Sequence, residues 1–183
     1  IPQTLVSSNI GRLKGFMDEL GGEMIVKPLD GSGGSGVFYL HQQDRNTNSI
    51  LEAATDNGRR MIMGQRYLPE IRQGDKRIIV LNGKPLGAEL RVPLESETRG
   101  NIHVGGQCVR TELSARDREI CEALASLLIA DGLYFVGLDV IGNFLTEVNV
   151  TSPTGIQEIN ALDSVRLESN VIDFVEEQVR RIH

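Results

Sequence analysis

The sequence has little of what would stabilise a small secreted or membrane-bound chain. Only two cysteines occur in 183 residues, Cys108 and Cys121. They form neither a disulfide framework nor a CxxC pair, which favours a reducing compartment, the cytoplasm. The three histidines stand at 41, 103 and 183, without metal-ligand spacing. No apolar run approaches the roughly 20 residues that a membrane span needs. The chain opens Ile1-Pro2-Gln3-Thr4, with no initiator methionine, basic segment or apolar leader, and reads as a fragment or processed chain. Positive charge is in deficit: 19 Lys and Arg against 25 Asp and Glu leave a formal charge of −6. That balance argues against a general binder of nucleic acid or anionic membrane. Repeats and low-complexity linkers are also missing.

What is there is ordinary globular material, 40% hydrophobic and 24% charged. At this length folding buries roughly 70% of the unfolded surface, so neither disulfide nor structural metal is needed. Ser8-Asn9 caps a helix over Ile10 to Leu20 that Gly21-Gly22 ends. Met24–Leu29 reads as a strand, Asp30–Gly36 as a tight glycine loop, and Val37–Leu40 as the returning strand. A helix over Ser49–Asn57 and a strand over Met61–Tyr67 follow. Arg77–Leu81, Asn82-Gly83 and Lys84–Arg91 form a hairpin, since Asn-Gly supplies both positive-φ positions of a type I′ turn. Val92–Gly106 is polar and reads as a long loop. Ser114 with Asp117 three residues on opens a helix ended by Gly132. Two strands, Leu133–Ile141 and Phe144–Val150, and a last helix over Val171–Ile182 complete an α+β pattern with largely antiparallel sheets.

Two constellations carry chemistry. Gly31-Ser-Gly33-Gly34-Ser-Gly36 matches GxGxxG literally, but that fingerprint must open a helix, and Val37-Phe38-Tyr39-Leu40 is strand. No Gly-Lys-Ser/Thr follows for a Walker A loop. The remaining readings are a flexible surface turn or a glycine-rich hairpin whose amides approach phosphate oxygens. Lys27, inside the preceding strand, is placed to reach phosphate as a point charge; the alternative is a snorkelling edge lysine. The second constellation is acidic. Asp139 interrupts the apolar run Tyr134–Ile141, where a carboxylate is costly unless paired or metal-bound. Glu147 and Asn149, two apart and roughly 7 Å between Cα atoms, share one strand face. Three hard oxygen ligands suit Mg²⁺ bridging phosphates, against the alternative of a solvated polar face. The metal reading requires Asp139 opposite Glu147, and so predicts a three-residue loop, Gly142 to Phe144.

Lys27-Pro-Leu-Asp-Gly-Ser-Gly-Gly34, Gly137-Leu-Asp-Val-Ile-Gly142 and Glu147-Val-Asn-Val-Thr-Ser-Pro153-Thr154, with Gly74-Asp-Lys-Arg77, Glu97-Thr-Arg99-Gly-Asn101 and Gly105-Gly106 in the same order, resemble the ATP-grasp part of the bacterial glutathione synthetases. The resemblance runs over essentially the whole chain. It implies an ATP-grasp fold: a small lobe over residues 1–70 and a large one over 71–183, with a nucleotide cleft between them. It implies a ligase joining γ-glutamylcysteine to glycine through an acyl phosphate, with ATP as cosubstrate, Mg²⁺ as cofactor and Mn²⁺ as its substitute. By the same resemblance Lys27 and Gly31, Gly33, Gly34 and Gly36 hold phosphates, and Gln65-Arg66-Tyr67-Leu68 is the hinge beside adenine. Asp139, Glu147 and Asn149 hold the metal. Arg77 and Arg99 are catalytic and, with Arg91, Asn101, Ser152 and Pro153, bind substrate. Val92–Gly106 becomes a lid, and the assembly a homotetramer. The family has a further amino-terminal domain of which this chain has none. Rival readings are another ATP-grasp ligase of the glutamate-ligase type, and a non-catalytic nucleotide-binding module.

Overall fold

A computed structural model describes residues 1–30, 33–94 and 106–182, the side chain of Ile182 excepted. The chain divides into two compact units, Ile1–Pro69 and Glu70–His183. The expected α+β class with antiparallel sheets is what the structure has.

The first unit is a four-stranded sheet in the order β1-β4-β2-β3 with two helices on one face. β1 is Thr4–Ser7, α1 Ile10–Glu19, β2 Glu23–Pro28, β3 Phe38–His41, α2 Thr47–Ala54 and β4 Ile62–Arg66. Period-2 alternation sends Met24, Val26, Leu40 and Ile62 into one core with Leu13 and Met17 of α1 and Leu51 of α2. Asn9 caps α1, its side-chain oxygen accepting from the Arg12 amide. Gly64 faces that core because a Cβ there would stand 2.8 Å from the Met24 sulfur. The sequence did not announce β1. Four residues carry too little periodicity, and the strand exists only by pairing Thr4 to Gln65 on β4.

The second unit is a five-stranded antiparallel sheet, β7-β6-β5-β8-β9. β5 is Asp75–Leu81, β6 Lys84–Val92, β7 Gln107–Arg110, α3 Ala115–Ala130, β8 Phe135–Ile141, β9 Phe144–Asn149, α4 Ile156–Asp163 and α5 Leu167–Ile182. The β5–β6 turn has Asn82 and Gly83 at φ 49° and 74°, the type I′ geometry expected. One sheet face packs Ile78, Val80, Val136, Leu138 and Val140 under Ile120, Cys121 and Leu128 of α3. On the other face Ile79 meets Ile159 of α4 and Leu167 of α5. Both β7 and α4 escape a reading of the sequence: β7 is a four-residue edge strand, and α4 starts at Gly155 with no side-chain cap. Among the described residues no helix is long and apolar enough to cross a membrane.

The acidic hairpin corrects one expectation. Asp139 does stand opposite Glu147, but the connection is not a three-residue loop. Ile141 pairs with Phe144 across a two-residue turn, Gly142-Asn143, and a bulge beside Asp139 absorbs Thr146. The extra residue resets the register, and the Thr146 hydroxyl donates to the Asp139 carbonyl at 3.1 Å.

Candidate active site

In the first unit, β2 and β4 are adjacent, with Lys27 paired to Met63 and Ile25 to Gln65. Met24 and Val26 point into the helical core, so alternation puts Ile25, Lys27, Met63 and Gln65 on the face turned away from α1 and α2. Tyr39, paired with Ile25, joins them. Its ring meets that of Tyr67 at 4.6 Å between centroids. Burial and a hydrogen bond with Glu23 push the Tyr39 phenol up to about 12. Gln65 is buried, its amide donating to the Thr4 hydroxyl at 2.9 Å. Arg66 ends β4, exposed although paired with Met24, and Leu68 is buried just beyond it.

The glycine loop joins β2 to β3, two paired antiparallel strands, as a hairpin connection. Gly33, Gly34 and Gly36 take φ of 65°, 76° and 73°, a run of left-handed conformations that only glycine adopts freely. At Gly36 a Cβ would also press on the Pro28 ring at 3.3 Å. Gly31 lies outside the described residues, as do Arg99 and Asn101 and most of the expected lid.

In the second unit the registers align one charged row across all five strands: Arg110, Glu89, Arg77, Asp139 and Glu147. Arg91, opposite both Asp75 and Cys108, adds a second row. Arg77 grips Asp139 with two donors, Nε to Oδ1 at 2.5 Å and Nη2 to Oδ2 at 2.9 Å, the bidentate geometry that suits guanidinium to carboxylate. Its Nη1 donates to the Thr154 carbonyl at 3.0 Å. The Arg91 Nη2 lies 2.5 Å from Asp75 and 3.0 Å from Asp139. Arg77, Arg91 and Asp139 are 6%, 3% and 4% exposed, so these charges are held by one another rather than by water.

The titration of the cluster follows from that geometry. Burial works to raise Asp139, but Arg77 and Arg91 hold it below the usual carboxylate value. Burial likewise opposes the charge of Arg91, and Asp75 and Asp139 more than offset it. Asp75 goes the other way: burial, then the Asp139 charge, push it up to about 7 against Arg91 and Arg77. Asp75 and Glu89 were not among the expected site residues. The signal for Glu89 was its spacing with Arg91, two polar positions on one face of an otherwise apolar strand.

Next to this cluster the chain leaves β9 through Ser152, at φ 53°, and Pro153, which is buried. Gly137 makes the approach of this loop feasible, since a Cβ there would stand 2.9 Å from Pro153 Cβ and 3.2 Å from Arg77 Cδ. Asn149, across from Gly137, donates to Asp139 Oδ2 at 3.3 Å. Asp139, Glu147 and Asn149 thus present two carboxylates and an amide on one sheet face. Among the described residues no three His, Cys, Asp or Glu side chains gather as a metal site. Both oxygens of Asp139 are engaged, Oδ1 by Arg77 and Oδ2 by Arg77 and Asn149.

The model of the prokaryotic glutathione synthetase ATP-grasp domain matches residues 1–164 of the chain. A glutathione synthetase from Gloeobacter violaceus is 53% identical over 180 residues, 98% of this chain and 55% of that protein. One from Synechocystis is 51% identical over 178 residues, 97% of this chain and 55% of that protein. The chain thus spans about half the length of the curated relatives it matches. Among solved structures, the ATP-grasp ligase PsnB complexed with minimal precursor, Mg and ADP superposes with a TM-score of 0.69 at 16% identity, over 98% of this chain and 54% of that one.

Proposed function

The chain belongs to the ATP-grasp domain family of the prokaryotic glutathione synthetases, and on that premise we propose that it is the MgATP-using part of an ADP-forming carbon–nitrogen ligase. The reaction joins the carboxylate of γ-glutamylcysteine to the amine of glycine in the cytoplasm, by a homotetramer as in the family. The γ-phosphoryl of ATP transfers to the carboxylate oxygen and ADP leaves. The amine then attacks the acyl carbon, phosphate departs with the C–O bond, and the nitrogen gives up a proton.

The observation that carries this reading is the cross-strand pairing of Asp139 with Glu147, with Asn149 on the same face and Arg77 gripping Asp139. Asp139 held ionised, with Glu147 and Asn149, would hold Mg²⁺, or Mn²⁺ in its place. That ion, when bound, supplies charge neutralisation on the phosphoryl oxygens. Lys27 and the amides of Gly31, Gly33, Gly34 and Gly36 hold the nucleotide phosphates. Gln65 to Leu68, at the end of β4, lie along the adenine. Arg77 has three of the five guanidinium N–H donors engaged on Asp139 and Thr154. The other two would meet the developing acyl phosphate, with Arg99 as the second cation and Arg91, which also holds Asp139 and Asp75, as a further substrate contact. Asn101, Ser152 and Pro153 shape the substrate end, and the 92–106 segment shields the acyl phosphate from water. Residues 1–70 thus act as the phosphate-loop lobe and 71–183 as the metal and substrate lobe.

Thermal unfolding of the 183-residue chain, titrated with ATP with and without Mg²⁺, tests the nucleotide site. Ligand at 100 times its dissociation constant adds about 2.7 kcal/mol, a plain rise in melting temperature. A magnesium-dependent rise is expected. Its absence both here and in the full gene-encoded protein would sink the reading. Phosphate release with γ-glutamylcysteine and glycine, and then with other acceptors, tests the substrates.

A further inference from the structure

Resting on this reading, we infer that Glu89 is a positioning residue that holds Arg77 and the 152–155 loop in fixed relation at the substrate end of the site. Glu89 is 1% exposed and stands second in the charged row, between Arg77 on β5 and Arg110 on β7. Its Oε1 lies 3.2 Å from the point where a Cβ on Gly155 would sit, and Arg77 Cγ lies 3.3 Å from that same point. Carboxylate and guanidinium stem together wall in the turn that leads from Pro153 into α4. Gly155, at φ 129°, is the residue that fits there. Arg77 then closes the other side of the turn by donating to Thr154. The Cys108 thiol hydrogen-bonds the Glu89 carboxylate from the neighbouring strand, and burial raises both groups above their ordinary values.

A carboxylate in this position is costly. Its Oε2 has no hydrogen-bond partner among the described residues, and a desolvated anion with an unfilled oxygen destabilises the fold. Glutamine keeps the shape and removes that charge, so Glu89→Gln should leave the melting temperature unchanged or raised. What it removes is the anion that Arg77 and Arg91 face from β6. A structural role predicts a loss spread evenly over stability, nucleotide binding and turnover. A positioning role predicts a split among them.

The experiment has two arms. In the 183-residue chain, amide hydrogen exchange over residues 150–158 should accelerate in Glu89→Gln, with exchange in α3 unchanged. In the full gene-encoded protein, kcat/KM for the carboxylate substrate should fall about 10- to 100-fold, the range typical of residues that orient a reacting group, while MgATP affinity stays within about twofold. Glu89→Asp, which keeps the charge on a shorter stem, should recover part of the turnover. Unchanged exchange in 150–158 overturns the inference, whatever the kinetics. So does a variant that cannot fold, or one whose losses in stability, nucleotide affinity and turnover are proportionate. A wild-type protein with no turnover would count against the ligase reading instead, and the exchange arm would still decide the role of Glu89.

Discussion

Asp139 and Glu147 face each other across one strand pair, and both are proposed to hold the metal, yet they differ in what else depends on them. Asp139 is buried and is the anion for two guanidinium groups. Asp139→Asn leaves Arg77 and Arg91 under-compensated in a dry site, and should cost on the order of 3–5 kcal/mol of folding stability by denaturant titration. Glu147 is exposed. Glu147→Gln should change stability by less than about 0.5 kcal/mol and yet weaken MgATP binding strongly. Equal nucleotide affinity in Glu147→Gln would remove it from the metal set. This contrast shows what the residues alone disclosed. A carboxylate inside Tyr134–Ile141 and a pair two apart on the next strand were legible, because period-2 geometry places them without further information. That Asp139 is shared between Arg77 and Arg91 was not, since that depends on β5 lying between β6 and β8. Asp75, the second anion on Arg91, was hidden for the same reason.

Among the elements, α3 tests local coding. Ser114 accepts from the Asp117 amide at 3.1 Å and Asp117 accepts from the Ser114 amide at 2.8 Å, the reciprocal capping box its spacing announced. The structure adds Lys76 of β5, whose Nζ lies 2.6 Å from Asp117 Oδ2. The cap of the helix is thereby also its tie to the sheet. Ser114→Ala should cost about 1 kcal/mol. Burial alone would raise Asp117, but Lys76 and Ser114 hold it below its ordinary value. A carboxyl group lowered on folding adds stability at pH above its unfolded value, and that stability is lost as pH falls through the folded one. Wild-type protein should therefore lose stability more steeply than Asp117→Asn below about pH 4, where the unfolded carboxylate titrates. Parallel acid profiles would show that the cap is silent in titration. The hairpin β8–β9 shows the limit of such local reading. Gly142-Asn143 marked the turn, but nothing in the sequence marked the Thr146 bulge, which exists to reconcile a two-residue turn with the pairing of Asp139.

For the whole molecule, the two units each own a core: Leu13, Met24, Val26, Leu40 and Leu51 in one, and the layers on either side of β5 and β8 in the other. Most of this was legible, because strongly alternating strands and Gly-terminated helices code themselves. The elements that were not, β1, β7 and α4, are short, and pairing or packing with distant segments makes them. Roles are proposed for residues of each unit taken by itself, which sets a prediction on amide hydrogen exchange in the intact chain. MgATP should slow exchange in β2 and β4, around Lys27 and Gln65, and separately in β8 and β9, around Asp139 and Glu147. It should leave the exposed side of α5, where Ile172, Val175 and Val179 are about half exposed, at its unliganded rate. Chelating the metal with ATP still present should reverse the protection in β8 and β9, because that pair is assigned to the ion. Protection in the first unit alone, unaffected by chelation, would leave Lys27 and the glycine loop as the nucleotide site and strip Asp139, Glu147 and Asn149 of their role.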